Sequence, residues 1–114
     1  MMKRPPQSGQ ALSREQLILL LETGLDVGKT QFVRLLSAEW LNLYPGDLLV
    51  TFLQAKAYFL EGKVTQAIPI LEILCRRDPQ YLQAHELRLQ AYRAALSKQV
   101  EVVEITPRQK IVAE

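Results

Sequence analysis

The sequence predicts an all-α chain of antiparallel helical hairpins, on three observations. Apolar residues recur at helical spacing in successive segments, those segments are joined by very short turns marked by glycine and proline, and no strand-like alternation appears before residue 100. The segments also repeat along the chain, with a period of 34 residues that corresponds to two helices.

The first twelve residues, MMKRPPQSGQAL, have adjacent prolines, a glycine and little apolar content, which predicts a flexible N-terminal tail over residues 1–12. Ser13 and Gln16 have the spacing of a capping box, so the first helix starts there. Leu17, Ile18, Leu20, Leu21 and Leu25 keep its period, and Gly24 and Gly28 are expected to break it. A second helix over Thr30 to Leu43 has a wide apolar stripe, including Phe32, Val33, Leu36, Trp40 and Leu43, and is ended by YPGD. Asp47 is a good cap for a third helix, which runs through Leu48, Leu49, Phe52, Leu53 and Tyr58 to Leu60 before EGK interrupts it.

The fourth helix, Val64 to Arg77, is apolar at Ala67, Ile68, Ile70, Leu71, Leu74 and Cys75 and ends at RDP, where Pro79 disfavours helix in the residue before it. Pro69 lies inside this helix and is expected close to the first turn, where a missing amide costs little. A fifth, more polar helix is expected from Gln80 to about Leu96. Beyond it, residues 98–114 read as a degenerate or truncated segment: VEVVEI alternates like a strand and Thr106-Pro107 looks like a fresh helix start. Leu82, Leu87, Leu89 and Leu96 would be left incompletely covered on the fifth helix, so an excerpt of a longer protein is expected.

Composition narrows the function classes. The chain has 114 residues, 48% apolar and 23% charged, ordinary for one soluble domain with a modest core. The net charge of +2 comes from basic residues scattered singly and in pairs, which gives no footprint for nucleic acid. The longest apolar run, Leu17 to Leu21, is far short of a membrane span. The single cysteine, Cys75, excludes an intrachain disulfide and reads as a small buried hydrophobe of a cytoplasmic protein. Gly28-Lys29-Thr30 resembles the end of a phosphate-binding loop, but only three residues separate Gly24 from Gly28 and a helix, not a strand, precedes them. One histidine, His85, and no recognisable nucleophile setting or metal-ligand spacing argue against an enzyme, a metal site or a cofactor. His85 is expected to be a surface or half-buried residue.

At an offset of 34, Gly28-Lys29 recurs as Gly62-Lys63, Pro45 as Pro79, and Leu25, Val33, Leu36, Leu48 and Tyr58 are matched by Phe59, Ala67, Ile70, Leu82 and Tyr92. On these residues the chain resembles the tetratricopeptide repeat (TPR) family from about Arg14 to Leu96. In the second unit, Ala55, Tyr58, Gly62, Ala67, Leu71 and Asp78-Pro79 stand where the motif has its small residue, aromatic, turn glycine, alanine, large apolar residue and closing proline. The expected helical domain therefore spans residues 13–97, with units 14–47 and 48–81 and a partial unit 82–97.

The resemblance implies a short right-handed solenoid whose first helices line a concave face, acting as a scaffold for protein–protein interaction. Carried over position by position, that face consists of three rows: Glu22, Lys56 and Gln90; Ile18, Phe52 and Glu86; Glu15, Leu49 and Gln83. Phe59 and Arg93 extend it. The family's carboxylate-binding subtype uses asparagines and lysines, whereas here only Lys56 matches, and Leu53 and Leu87 stand where asparagine is expected. The expected partner is therefore an amphipathic or apolar-anchored peptide or helix. The alternative is a structural role with no separate ligand, in which apolar residues at a solenoid end pair two copies as a homodimer.

Overall fold

A computed structural model describes residues 12–105. Among them are five helices and no strand: α1 Arg14–Asp26, α2 Thr30–Leu43, α3 Leu48–Leu60, α4 Val64–Arg77 and α5 Leu82–Ile105. The bounds of α1 and α2, moved forward by 34 residues, are those of α3 and α4. Ser13 makes the expected capping box, its hydroxyl accepting from the Gln16 amide at 3.1 Å while the Gln16 side chain accepts from the Ser13 amide at 3.0 Å.

The turns repeat as well. Gly28 and Gly62 both sit at φ +81°, the left-handed region in which a side chain is strained. After α1, the Lys29 amide donates to Gly24 O at 2.7 Å and the Gly28 amide to Leu25 O at 3.2 Å; after α3, Lys63 donates to Tyr58 O at 2.9 Å and Gly62 to Phe59 O at 3.0 Å. Each pair satisfies two carbonyls that the helix end would otherwise leave open. The ends of α2 and α4 are equally alike, Tyr44 and Asp78 having φ/ψ of −130°/69° and −136°/88°. The 34-residue period is therefore written into the backbone.

By contacts the chain forms two compact units, Met1–Ala57 and Tyr58–Glu114. In the first, α1 packs on α2, and the core joins Leu17, Leu21 and Leu25 of α1 to Val33 of α2 and Val50, Leu53 and Ala57 of α3. The first helix of the second repeat thus closes the core of the first hairpin. Gly24 does not break α1, contrary to the sequence expectation: it is buried within the helix, and a Cβ built there would lie 2.7 Å from Val33 Cγ2. The glycine lets two helices approach closely.

In the second unit α4 packs on α5, and the buried residues are Val64, Ala67, Leu71, Leu74 and Cys75 of α4 and Ala84, Leu87 and Ala91 of α5. The Tyr92 hydroxyl donates to Glu72 Oε2 at 2.6 Å across them, which raises the Tyr92 pKa above its ordinary value. Cys75 is the buried hydrophobe expected. Of the flank expected to be incompletely covered, Leu87 is buried, while Leu82, Leu89 and Leu96 are exposed.

Two boundaries correct the sequence expectation. The fifth helix begins at Leu82 and continues through the strand-like VEVVEI to Ile105. Neither glycine nor proline interrupts 82–105, and β-branched residues cost a helix only about half a kcal/mol each. The expected fresh start at Thr106-Pro107 lies outside the described residues.

Pro69 is the sixth residue of α4, beyond the first turn, so it removes the bond that residue 69 would donate to the Thr65 carbonyl. Pro69 is exposed, so water can serve that carbonyl. Pro69→Ala is expected to stabilise the chain by about 2 kcal/mol, the helix penalty being partly offset by the freer unfolded chain. Urea unfolding monitored by circular dichroism checks this, and an unchanged midpoint would contradict it.

Candidate protein-interaction face

α1 turns one side to the core and an adjoining side to solvent, because Leu17, Leu21 and Leu25 follow one stripe while Glu15, Ile18, Leu19 and Glu22 follow the next. With Arg14 and with Leu49 from the first turn of α3, these four residues line an open groove of about 450 Å³. Four of the expected face residues are thereby brought together: Glu15, Ile18, Glu22 and Leu49. Ile18 and Leu49 are half-buried, their inner atoms packed on the core, so they give the groove an apolar floor between exposed carboxylates. Phe52 is also half-buried against that core, and exposed Lys56 follows one turn later on α3; neither lines the groove itself.

The remaining five candidates belong to the second unit. Phe59 is half-buried in the last turn of α3, and Gln83, Glu86, Gln90 and Arg93 are exposed along one side of α5. Their spacing of three, four and three residues keeps them on one helical face.

The groove is anchored at one end by a constellation that no short motif announced. Asp47 caps α3, its Oδ1 accepting from the Val50 amide at 3.4 Å. The same carboxylate accepts from Trp40 Nε1 of α2 at 2.9 Å, and from Arg14 of α1 twice, Nε at 2.8 Å and Nη2 at 2.9 Å. One side chain thus ties three helices together, and Trp40 is further held by Tyr44, ring centroids 4.5 Å apart. The Arg14 bonds, followed by those from Trp40 and Val50, hold the Asp47 carboxyl down to about 2 although partial burial opposes this. With the Arg14 guanidinium engaged by Asp47, the exposed charges on the groove rim are those of Glu15 and Glu22. Asp47 was legible as a cap; its bond to Arg14, 33 residues earlier, was not.

His85 is half-buried, with Nε2 2.7 Å from the Pro79 carbonyl and Nδ1 3.4 Å from Arg88 Nη2. The carbonyl accepts, so Nε2 carries the proton and Nδ1 accepts from Arg88. Both ring nitrogens are engaged in positioning the start of α5. Among the described residues, no helix is long and apolar enough to cross a membrane, and no group of three or more His, Cys, Asp or Glu side chains is placed to hold a metal ion.

No family model, curated protein or solved structure matches the chain.

Proposed function

We propose that the chain is a tetratricopeptide-like interaction module that holds a peptide or partner helix on the faces of its first helices, as a scaffold within a longer cytoplasmic protein. The observation that carries this reading is the α1 groove, where residues chosen from the repeat pattern line one open, apolar-floored recess. Support for the repeat family comes from the duplicated helix bounds and left-handed glycine turns, and from a core in which α3 closes over the α1–α2 hairpin.

The groove works by separating affinity from orientation. An apolar anchor of the partner covers Ile18 and Leu49, and burying one such side chain is worth about 1.5–3 kcal/mol. Glu15 and Glu22 on the rim, with Lys56 beyond the groove on α3, select the partner's charge pattern and steer its approach rather than adding much affinity.

The test is selection of peptides from a randomised displayed library on the wild-type chain, followed by titration against a Glu22→Lys, Lys56→Glu variant. Both residues are exposed, so the variant is expected to keep its helicity. Selected peptides are expected to bind it at least about tenfold more weakly, or about 1.4 kcal/mol. Failure to enrich any peptide, or equal binding by the variant, would contradict the proposal.

A further inference from the structure

We propose that the outer side of α2 is the interface of a symmetric homodimer. Phe32, Leu35 and Leu43 are exposed on α2, with half-buried Leu36 between them and the core that takes Val33, and exposed Tyr44 follows at the helix end. Phe32, Leu35 and Leu43 are exposed by 46%, 58% and 73% of their surface.

The hairpin geometry does not demand this stripe. Thirty-four residues later, at the same places on α4 and its end, stand Gln66 for Phe32, Pro69 for Leu35, Arg77 for Leu43 and Asp78 for Tyr44. Ile70 keeps the half-buried apolar place of Leu36, and Ile73 is exposed where α2 has Glu39, so the contrast lies in the exposed positions 32, 35, 43 and 44. One repeat therefore builds its hairpin with a largely polar outer side, while the other keeps a large apolar one in contact with water. The exposed apolar side chains there amount to on the order of 500 Å², at the upper end of what a monomer shows and most of the roughly 800 Å² that each partner contributes to a stable interface.

The stripe also has the shape to receive a copy of itself. At its C-terminal end Leu12, Leu36, Trp40, Leu43 and Tyr44 line an apolar recess of about 310 Å³. Phe32 and Leu35 project at its N-terminal end, roughly 16 Å along the helix from Leu43 at 1.5 Å per residue. When two α2 helices pair antiparallel about a two-fold axis, the Phe32 end of each lies over the recess of the other. Both recesses are then filled and the assembly closes at two chains, as an isologous contact must. Glu39, on the rim of the recess, lies toward the axis and meets its own mate there, which keeps the pairing moderate.

This surface shares no residue with the α1 groove, so the two proposals stand or fall separately. The test is sedimentation equilibrium of the wild-type chain and of Leu35→Glu and Leu89→Glu variants, with circular dichroism on each. Leu35 and Leu89 are both exposed, on α2 and α5, so neither charge disturbs a core. The wild type and Leu89→Glu are expected at twice the 13.0 kDa chain mass at about 100 µM, and Leu35→Glu at the single-chain mass with unchanged helicity, its association weakened at least about a hundredfold. A wild-type chain that stays single at that concentration, leaving the stripe to another protein, would overturn the proposal. So would a dimer that survives Leu35→Glu.

Discussion

Asp47→Ala is expected to lower stability by about 3 kcal/mol, a large part of the 5–15 kcal/mol typical of a small domain. The loss has three parts. Removing the cap of α3 costs about 1 kcal/mol, leaving Trp40 Nε1 without its charged acceptor about 1–2, and losing the partner of exposed Arg14 less than 1. Asp47→Asn keeps a capping oxygen but not the charge, and is expected to lose about 1 kcal/mol. Urea unfolding of both variants checks the division; equal losses would show that the cap contributes nothing.

Acid titrates the same constellation. The Asp47 pKa lies at about 2 in the folded chain against 3.8 for an unperturbed carboxyl, so the stability it confers is present above pH 4 and is lost as pH falls through about 2. Allowing for screening by solvent around Arg14, the wild type is expected to lose about 1 kcal/mol more than Asp47→Asn over that interval. A parallel decline of the two proteins would contradict the assignment.

Gly24→Ala is the second large effect, and its sign opposes helix propensity. In an exposed helix the change would gain about 1 kcal/mol. Here the new Cβ would meet Val33 Cγ2 at 2.7 Å and Phe32 Cδ2 at 3.5 Å. Val33 is fully buried and, being β-branched, has no alternative rotamer to retreat into, so α1 and α2 must separate. Overpacking of this kind costs about 1–3 kcal/mol, and a net loss of about 2 is expected. Thermal unfolding measures it, and Val33→Ala in the Gly24→Ala background should recover part of the loss, since the two positions are coupled. A stabilised Gly24→Ala chain would show that no close approach exists there.

The fate of Gly24 shows how the sequence misleads at contacts. Gly28 and Gly24 are both glycines near the end of a helical pattern, but one turns the chain and the other admits a neighbouring side chain. Both were expected to break α1, although at the 34-residue offset Gly28 is matched by Gly62 and Gly24 by Tyr58. The bounds of α2, α3 and α4 were legible because glycine, proline and aspartate punctuate them. The end of α5 was not, because the alternation of VEVVEI fits a strand locally and only the continuity of the helix decides its state. Within the candidate face, Glu15, Ile18, Glu22 and Leu49 could be chosen from the repeat alone, since helical period and offset fix their positions. Arg14 and Leu19 were missed as groove-lining residues, as was the Asp47 constellation, because those roles depend on which side chains meet across helices.

The measurement that bears most directly on the central claim is an amide-resolved NMR titration of the wild-type chain with a peptide selected on it. The expected result is a set of shifted signals confined to the α1–α3 groove, with Glu15, Ile18, Glu22 and Leu49 among the largest. Signals that move instead along α2, or that do not move while the peptide binds, would place recognition elsewhere and contradict the groove as the working surface.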